Sequence, residues 1–281
     1  MWVWSKLSSE QWQDAWEERF AACGGAVITT IPGRKTQRVE VYCKSRAQAL
    51  EIQRQFGGSV RKLPSRNWAA MKPERLPAVK VRDRLVISAE SSATELRKLA
   101  KTFPGRDIVS VPPDLAFGTG HHATTATVLR LLVDFAEERQ RKGRAWTLLD
   151  LGTGTGVLAI AGQKLGAKSV SACDNDPHSV RIARANAERN GAENITVQQA
   201  DVLRWKPRKQ WDCVTANIFS AILEKAWSGI AQAMKPDGVV LVSGLLRTQT
   251  KECLGAAKGA GIRFTKIVPR GKWVTAVGVK R

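Results

Sequence analysis

Residues 148–156, Leu148-Leu149-Asp150-Leu151-Gly152-Thr153-Gly154-Thr155-Gly156, combine the residue types that hold a nucleotide-like ligand. An apolar run precedes three alternate glycines, and a helical pattern follows. Glycine lets the backbone turn tightly and approach a ligand where any Cβ would intervene. An ordinary strand-to-helix turn seldom needs three glycines in alternation. The dinucleotide fingerprint wants its third glycine three residues after the second, and that position is Val157. An acidic residue, Asp150, stands two positions before the first glycine. About 20 positions beyond the loop, where such folds place a ribose ligand, Ala172-Cys173-Asp174-Asn175-Asp176-Pro177 closes the next apolar run. A carboxylate there can accept hydrogen bonds from both ribose hydroxyls. Asp174, at the strand end, takes that role, and Asp176 is the alternative cap of the helix that Pro177 opens.

Three further segments fall in register with these two. Asp201 follows the next strand and suits either an adenine amino group or an ordinary loop. Asp212-Cys213-Val214-Thr215-Ala216-Asn217-Ile218-Phe219 puts Asn217 at the end of a fourth strand. Upstream, Leu115-Ala116-Phe117-Gly118-Thr119-Gly120-His121-His122-Ala123-Thr124-Thr125 is a glycine-flanked polar loop that can close over a ligand and cap a helix. Its two histidines lack a carboxylate at ligand spacing, so no metal site is assigned. The Asp-x-Gly-x-Gly-x-Gly segment resembles motif one of the class I methyltransferases. That resemblance implies S-adenosyl-L-methionine as cofactor, with Asp150 ordering the loop and the methionine end. Amino methyltransferases often carry Asn-Pro-Pro-Tyr or a variant at the Asn217 position, and here the prolines are missing.

Elements at regular spacing must position these groups. From residue 124 onward, helix and strand alternate. Helices are expected over 124–138, 156–165, 179–190, 220–234 and 248–259. Strands are expected over 147–151, 169–174, 195–198, 213–216 and 239–243, with a closing antiparallel pair at 263–269 and 272–279. Such alternation means a mostly parallel sheet covered on both faces, with ligands at the carboxyl ends of its strands. Short strands are expected over 84–88 and 108–111. The first 63 residues read differently. A helix over 8–22 capped by Ser8 or Ser9, strands over 26–31 and 39–43, a helix over 46–56 and a strand over 59–63 suggest a small α+β domain of ferredoxin-like type. Its first strand is either missing or supplied by residues 2–6. Prolines 64, 73 and 77 mark a linker over 64–80, with a short helix around 68–71, which divides a domain over 1–63 from one over 81–281.

The 281 residues suffice for two such domains, and 43% hydrophobic with 25% charged residues is ordinary for a globular chain. Five scattered cysteines without a CxxC pair argue against a disulfide framework or structural zinc. No signal peptide or membrane span is visible, which places the protein in the cytoplasm. The formal charge of +20 is the unusual property. Residues 1–114 hold 20 basic and 12 acidic side chains and the remainder 25 and 13, so no single tail explains it. Contact with nucleic acid or a ribonucleoprotein is one reading, and a solvated basic surface is the other.

Phe117-Gly118-Thr119-Gly120-His121-His122-Ala123-Thr124-Thr125, the Asp150–Gly156 loop, Ala216-Asn217-Ile218 and the Gly271-Lys272-Trp273-Val274 ending, in this order, resemble the PrmA family. These are bacterial methyltransferases of a large-subunit ribosomal protein, L11. The resemblance runs from about Asp83 to the C-terminus. It implies that the N-terminal domain recognises the substrate protein, and that Thr125, Gly152, Asp174 and Asn217 contact the cofactor while Phe117 and Thr119 lie over the methyl donor. Gly154, Asp150 and Asp201 complete the expected cofactor site. The implied activity is methylation of lysine side chains or an N-terminal α-amine, with Asn217 as the catalytic residue orienting the amine. The +20 charge departs from the acidic character the family implies. An RNA methyltransferase and a non-catalytic ribonucleoprotein-binding module are therefore carried as alternatives.

Overall fold

A computed structural model describes residues 2–13, 16, 20, 26–31, 35–43, 45–62, 77–112 and 120–281. The chain divides into two compact units, 1–74 and 75–281.

In the first unit, β1 (Trp2–Ser9), β2 (Val27–Thr30), β3 (Thr36–Cys43) and β4 (Ser59–Lys62) form an antiparallel sheet in the order β2-β3-β1-β4. Helix α1 (Arg46–Phe56) covers one face, and its start is capped by Ser45 Oγ, which accepts from the Gln48 amide at 3.2 Å. Trp4, Val39, Val41, Ala49 and Ile52 form the core, and Trp4 lies among the rings of Trp16, Phe20 and Phe56. Ser8 and Ser9 correct the sequence expectation in part: both belong to β1, and Ser9 precedes the helical turn Glu10–Trp12 without a side-chain capping bond. Strand β1 pairs with β3 along its whole length and with β4 on its other side, so shared pairing outweighs a local capping preference. The ferredoxin-like expectation turns on the segment between β1 and β2, which falls mostly outside the described residues. The same holds for the helix around 68–71 and most of the expected linker. Of that linker, Val79 and Lys80 belong to a strand of the second unit.

The second unit opens with a three-stranded sheet, β5 (Val79–Val81), β6 (Leu85–Ser88) and β7 (Asp107–Ser110). Helix α2 (Ala93–Thr102), not expected from sequence, joins β6 to β7. It buries no residue fully, but Leu96 and Leu99 recur at helical spacing among charged residues, a pattern the sequence expectation overlooked. The remainder alternates as expected: α3 (Ala123–Arg141), β8 (Thr147–Leu151), α4 (Val157–Lys164), β9 (Ser169–Asp174), α5 (Pro177–Arg189), β10 (Ile195–Gln199), β11 (Trp211–Asn217), α6 (Ser220–Ala233), β12 (Met234–Leu246), α7 (Thr250–Ala256), β13 (Ile262–Arg270) and β14 (Trp273–Lys280). The strands form one sheet in the order β10-β9-β8-β11-β12-β14-β13, parallel except for β14, which is antiparallel to both neighbours. Strand β12 is longer than expected and takes Met234 from the expected helix. No described helix is long and apolar enough to cross a membrane.

Alternate strand residues feed two cores. Leu148, Cys213 and Leu241 face α3, α4 and α5, while Leu149, Val214, Val240 and Val242 face α6 and α7. A strand buried on both faces is apolar throughout, so a polar residue inside one stands out. Asp150 and Thr215 are two such residues, paired directly across β8 and β11.

At the opposite end of the sheet, Asp212 joins three elements. It accepts from Arg139 of α3 at 3.0 Å, from the Thr147 amide and hydroxyl at 3.0 and 2.9 Å, and from Lys235 of β12 at 2.8 Å. Burial pushes its carboxyl up, but the bond and charge of Lys235, with Thr147 and Arg139, outweigh that and hold it below the usual range. A depressed carboxyl contributes stability above its unfolded pKa of about 3.9 and loses it as pH falls through the folded value. Asp212→Asn is expected to cost about 2 kcal/mol in urea unfolding at pH 7, because partners of a partly buried carboxylate are left unpaired. The difference from the parent should shrink below about pH 4; a difference constant down to about pH 2.5 would contradict the assignment.

Candidate functional site

The glycine loop leaves β8 at Leu151 and enters α4 at Val157. Gly152, Gly154 and Gly156 take φ of 68°, 54° and 83°, values that side-chain-bearing residues rarely adopt. Each has a distinct task. A Cβ on Gly152 would collide with Ile218 Cγ2. A Cβ on Gly156, the residue before α4, would stand 3.2 Å from the Ala183 backbone, so this glycine lets α5 approach. The Gly154 amide donates to Asp174 Oδ2 at 2.9 Å.

Asp150 lies beneath the loop with no solvent exposure. Its Oδ2 accepts from Thr153 Oγ1 and its Oδ1 from Thr215 Oγ1, both at 2.6 Å. The structure thus gives Asp150 a loop-ordering role between strands, with each oxygen held by a threonine. Burial pushes its carboxyl up to about 6, against these bonds. A raised carboxyl contributes most below its unfolded pKa, and that contribution is lost as pH rises through about 6. The ionised group then costs on the order of 3 kcal/mol at neutral pH. The stability of the parent relative to Asp150→Asn should therefore fall by about 2 kcal/mol between about pH 4.5 and 7.5 in urea titrations. An unchanged difference would refute it.

Asp174 ends β9 and stays half-buried. Besides Gly154, it accepts from the Asp176 amide through Oδ1 at 3.0 Å. Each carboxylate oxygen can take a second donor, so capacity remains for a diol. Asp176 is the cap of α5: its carboxylate accepts from the His178 and Ser179 amides at 3.0 and 3.3 Å. These bonds, the His178 amide first, hold its carboxyl below the usual range. Asp201 sits in the turn after β10, where Oδ1 accepts from the Leu203 amide at 3.0 Å. Asn186 of α5 supports the loop from behind by donating to Thr155 O at 2.9 Å.

Asn217 is the last residue of β11. Side chains alternate along a strand, so 213, 215 and 217 share the face toward α3. Asn217 Nδ2 accordingly donates to Thr125 Oγ1 in the first turn of α3 at 3.1 Å, which turns its amide oxygen elsewhere as the acceptor. Next to it, Ile218 is wedged between two glycines. Its Cγ2 packs on Gly152, and its carbonyl oxygen lies where a Cβ on Gly244, at φ 86°, would stand. Phe219 follows at 63% exposure, an aromatic ring at the lip of the site. Upstream, His122 caps α3 and its ring meets Trp273 edge-on at 5.3 Å.

The structure therefore gathers Asp150, Gly152, Gly154 and Asp174 around one loop, and Thr125 with Asn217 beside it. Phe117 and Thr119 lie in 113–119, outside the described residues. Thr153, Thr215, Asn186, Ile218 and Gly244 were missed from sequence. Thr215 alone carried a signal, as a polar residue within an apolar strand two positions before Asn217. The cysteines among the described residues are buried, and burial pushes the Cys173 thiol, nearest the loop, up to about 12, so it is no nucleophile.

Comparison with known proteins follows the same lines. A model of the family described as ribosomal protein L11 methyltransferase (PrmA) matches residues 3–281. The chain is 34% identical over 213 residues to a protein of that name from Listeria innocua, covering 75% of this chain and 63% of the Listeria protein. It thus spans less than two thirds of that relative's length. It is also 34% identical over 234 residues to the Rhizobium meliloti protein of that name, covering 82% and 77%. The crystal structure of the ribosomal protein L11 methylase from Lactobacillus delbrueckii subsp. bulgaricus superposes with a TM-score of 0.61 at 27% identity, covering 73% of this chain and 99% of that one. The expected class I, Rossmann-like methyltransferase sheet is present.

Proposed function

Because this chain belongs to the PrmA family of ribosomal protein L11 methyltransferases, we propose that it is an S-adenosyl-L-methionine-dependent N-methyltransferase acting on amines of that large-subunit ribosomal protein. The amines are lysine side chains, an N-terminal α-amine, or both. The observation that carries this reading is the joint geometry of the glycine loop, Asp174 and Asn217 at the carboxyl ends of β8, β9 and β11. We place the reaction in the cytoplasm, with ribosomal RNA or the assembled ribosome contacted through the basic surface.

When bound, S-adenosyl-L-methionine supplies a sulfonium methyl that a neutral amine takes by in-line displacement. Gly152 and Gly154 bring backbone within reach of it, and Asp174 accepts from the ribose hydroxyls. Asp201 serves the adenine amino group, Thr125 and Asn217 flank the methionine end, and Asp150 holds the loop. By the sequence resemblance, Phe117 and Thr119 would also contact the cofactor. The chain's own residues must then present an amine as its free base. A lysine amine in water titrates near pH ~10.4, and an apolar, partly desolvated setting lowers that value without a dedicated base. Ile218 and Phe219 provide that setting. The Asn217 amide oxygen accepts from the amine and aims its lone pair, since Thr125 already holds the amide nitrogen. Much of the rate is positional, for which aligned reactants gain roughly 7–11 kcal/mol.

Titration with S-adenosylmethionine followed by transfer of labelled methyl tests the reading. Label should enter purified L11 and not rRNA. No binding of the cofactor would sink the enzyme, and label in rRNA alone would favour an RNA methyltransferase. Asn217→Ala is expected to lower kcat by about two orders of magnitude, as removing a positioning group does, while cofactor affinity changes less. Full turnover with unchanged product would remove Asn217 from catalysis.

A further inference from the structure

Around the carboxyl ends of the strands, Asp174, Asp176 and Asp201 are interspersed with the cations Arg204, Arg247, Arg270 and Lys272. The opposite end gathers cations from connections far apart in sequence. Arg144 lies in the turn before β8, Lys168 before β9, and Arg208 with Lys209 before β11, all exposed. Local bonds place them side by side. The Lys168 amide donates to Trp146 O at 2.8 Å, and Arg139 donates to Ala145 O at 2.6 Å while pairing with Asp212. Lys209 lies over the Trp211 ring at 5.3 Å, and that ring adjoins Asp212 in the chain. Lys235 binds Asp212, Lys280 donates to Met234 O at 2.9 Å, and Arg281 follows.

Helix dipoles account for part of this. The helices of this unit that precede parallel strands end here, and cations favour helix C-termini. That explains Arg139, Arg141 and Lys164 but not Arg144, Lys168, Arg208 and Lys209, which lie in connecting turns. Among the described residues these four have no carboxylate within ion-pair distance. Of the acids at this end, Asp212 and Glu138 are bound by Arg139, Lys235 and Lys142; Glu188, Glu193 and Asp237 are dispersed among the cations. Isolated exposed cations kept together repel one another, so an anionic partner gains from all of them at once.

We infer that this end of the sheet, remote from the methyl-donor loop, binds the phosphate backbone of duplex RNA. From Lys168 on the β9 side to Arg281 after β14 the sheet crosses four strand spacings, on the order of 19 Å, along which one duplex strand presents about five or six phosphates. Single strands are bound on exposed aromatic platforms. Here Trp146 and Trp211 are buried and the half-buried Trp205 ring packs against Trp211, so backbone contact is the mode available. A membrane-surface site would need exposed apolar residues to insert, and the exposed large hydrophobics, Leu203, Phe219 and Ile267 in this unit, lie elsewhere. The choice of RNA rests on the ribosomal substrate proposed above; the phosphate site does not depend on methyl transfer.

The test is fluorescence anisotropy of a labelled RNA duplex of about 16 base pairs with the full chain between about 50 and 200 mM salt, beside a DNA duplex and anionic vesicles. Affinity should fall steeply with salt. The triple variant Arg144→Gln, Lys168→Gln, Lys209→Gln should bind at least about tenfold more weakly at roughly 100 mM and lower the log–log salt slope by about 3, one for each phosphate no longer neutralised. Its binding of S-adenosylmethionine and its methylation of free L11 should be unchanged, so failure of either reading is seen separately. Absence of duplex binding by the parent at the lowest salt, an unchanged slope in the variant, or preference for DNA or vesicles would overturn the inference. Crosslinking of the parent to the duplex should label 139–144, 164–168 and 206–210; labels confined to 1–62 would overturn it equally.

Discussion

Asp174→Ala is expected to weaken S-adenosylmethionine binding by a factor of about 100 to 1,000, equivalent to about 3–4 kcal/mol. Two losses combine. The first is the proposed ribose contact, in which one carboxylate accepts from two hydroxyls. The second lies within the protein: the Gly154 and Asp176 amides donate to Asp174 at 2.9 and 3.0 Å, and bonds to a charged group contribute roughly 1.5–3 kcal/mol each. Without them the central glycine of the loop loses its anchor. Asp174→Asn retains one acceptor oxygen and should fall between parent and alanine variant. Calorimetric titration separates the cases, and parent-like affinity in Asp174→Ala would remove Asp174 from the site.

Gly152→Ala should damage both stability and binding. A side-chain-bearing residue at φ 68° costs about 1–2 kcal/mol. The new methyl would also strike Ile218, in a core where overpacking costs about 1–3 kcal/mol. Their sum, roughly 2–5 kcal/mol, is a large share of the marginal stability of a domain. Any relief requires the loop or Ile218 to shift, and Ile218 is backed by Gly244 and adjoins Asn217. Cofactor affinity should therefore drop on the order of 100-fold, by the sensitivity of such sites to about 1 Å of displacement. The double variant Gly152→Ala, Ile218→Ala isolates the steric part. It should recover stability relative to the sum of the single variants by about 1 kcal/mol or more, leaving the backbone strain. Strict additivity would show that the two residues do not meet.

Much of the site could be read from sequence because its signals are local. Alternate glycines need positive φ, Asp176 before Pro177 is a capping pattern, and Asn217 falls at the end of a strand whose length its apolar run defines. The pattern of β8 to β14 was readable for the same reason: buried parallel strands and amphipathic helices differ in period. The errors have different causes. Ser8 and Ser9 favour a cap locally, but β1 lies inside its sheet with partners 36–43 and 59–62 on either side. Helix α2 does carry an amphipathic pattern, Leu96 and Leu99 among charged residues, which was overlooked. The partners of Asp150 and Asn217, Thr215 and Thr125, are 65 and 92 residues away, and no local pattern pairs them with those residues.

Charge follows the same division. Composition sets the total at +20 and shows both halves of the chain to be basic. It cannot say where the cations meet, because Arg144, Lys168 and Lys209 belong to three separate connections. Parallel winding returns every such connection to one end of the sheet, and so concentrates charges that are dispersed in sequence. The amino-acid sequence by itself determined the backbone-accessible loop, its acidic partner and the alternation that builds a parallel sheet, since these depend on nearest neighbours and on period. Only the tertiary structure decided that Asp150 is buried between two threonines, that Ile218 underlies Gly152, that Thr125 turns the amide of Asn217, and that the cations share one end. Each of those is a contact between segments distant along the chain, made only when the sheet closes.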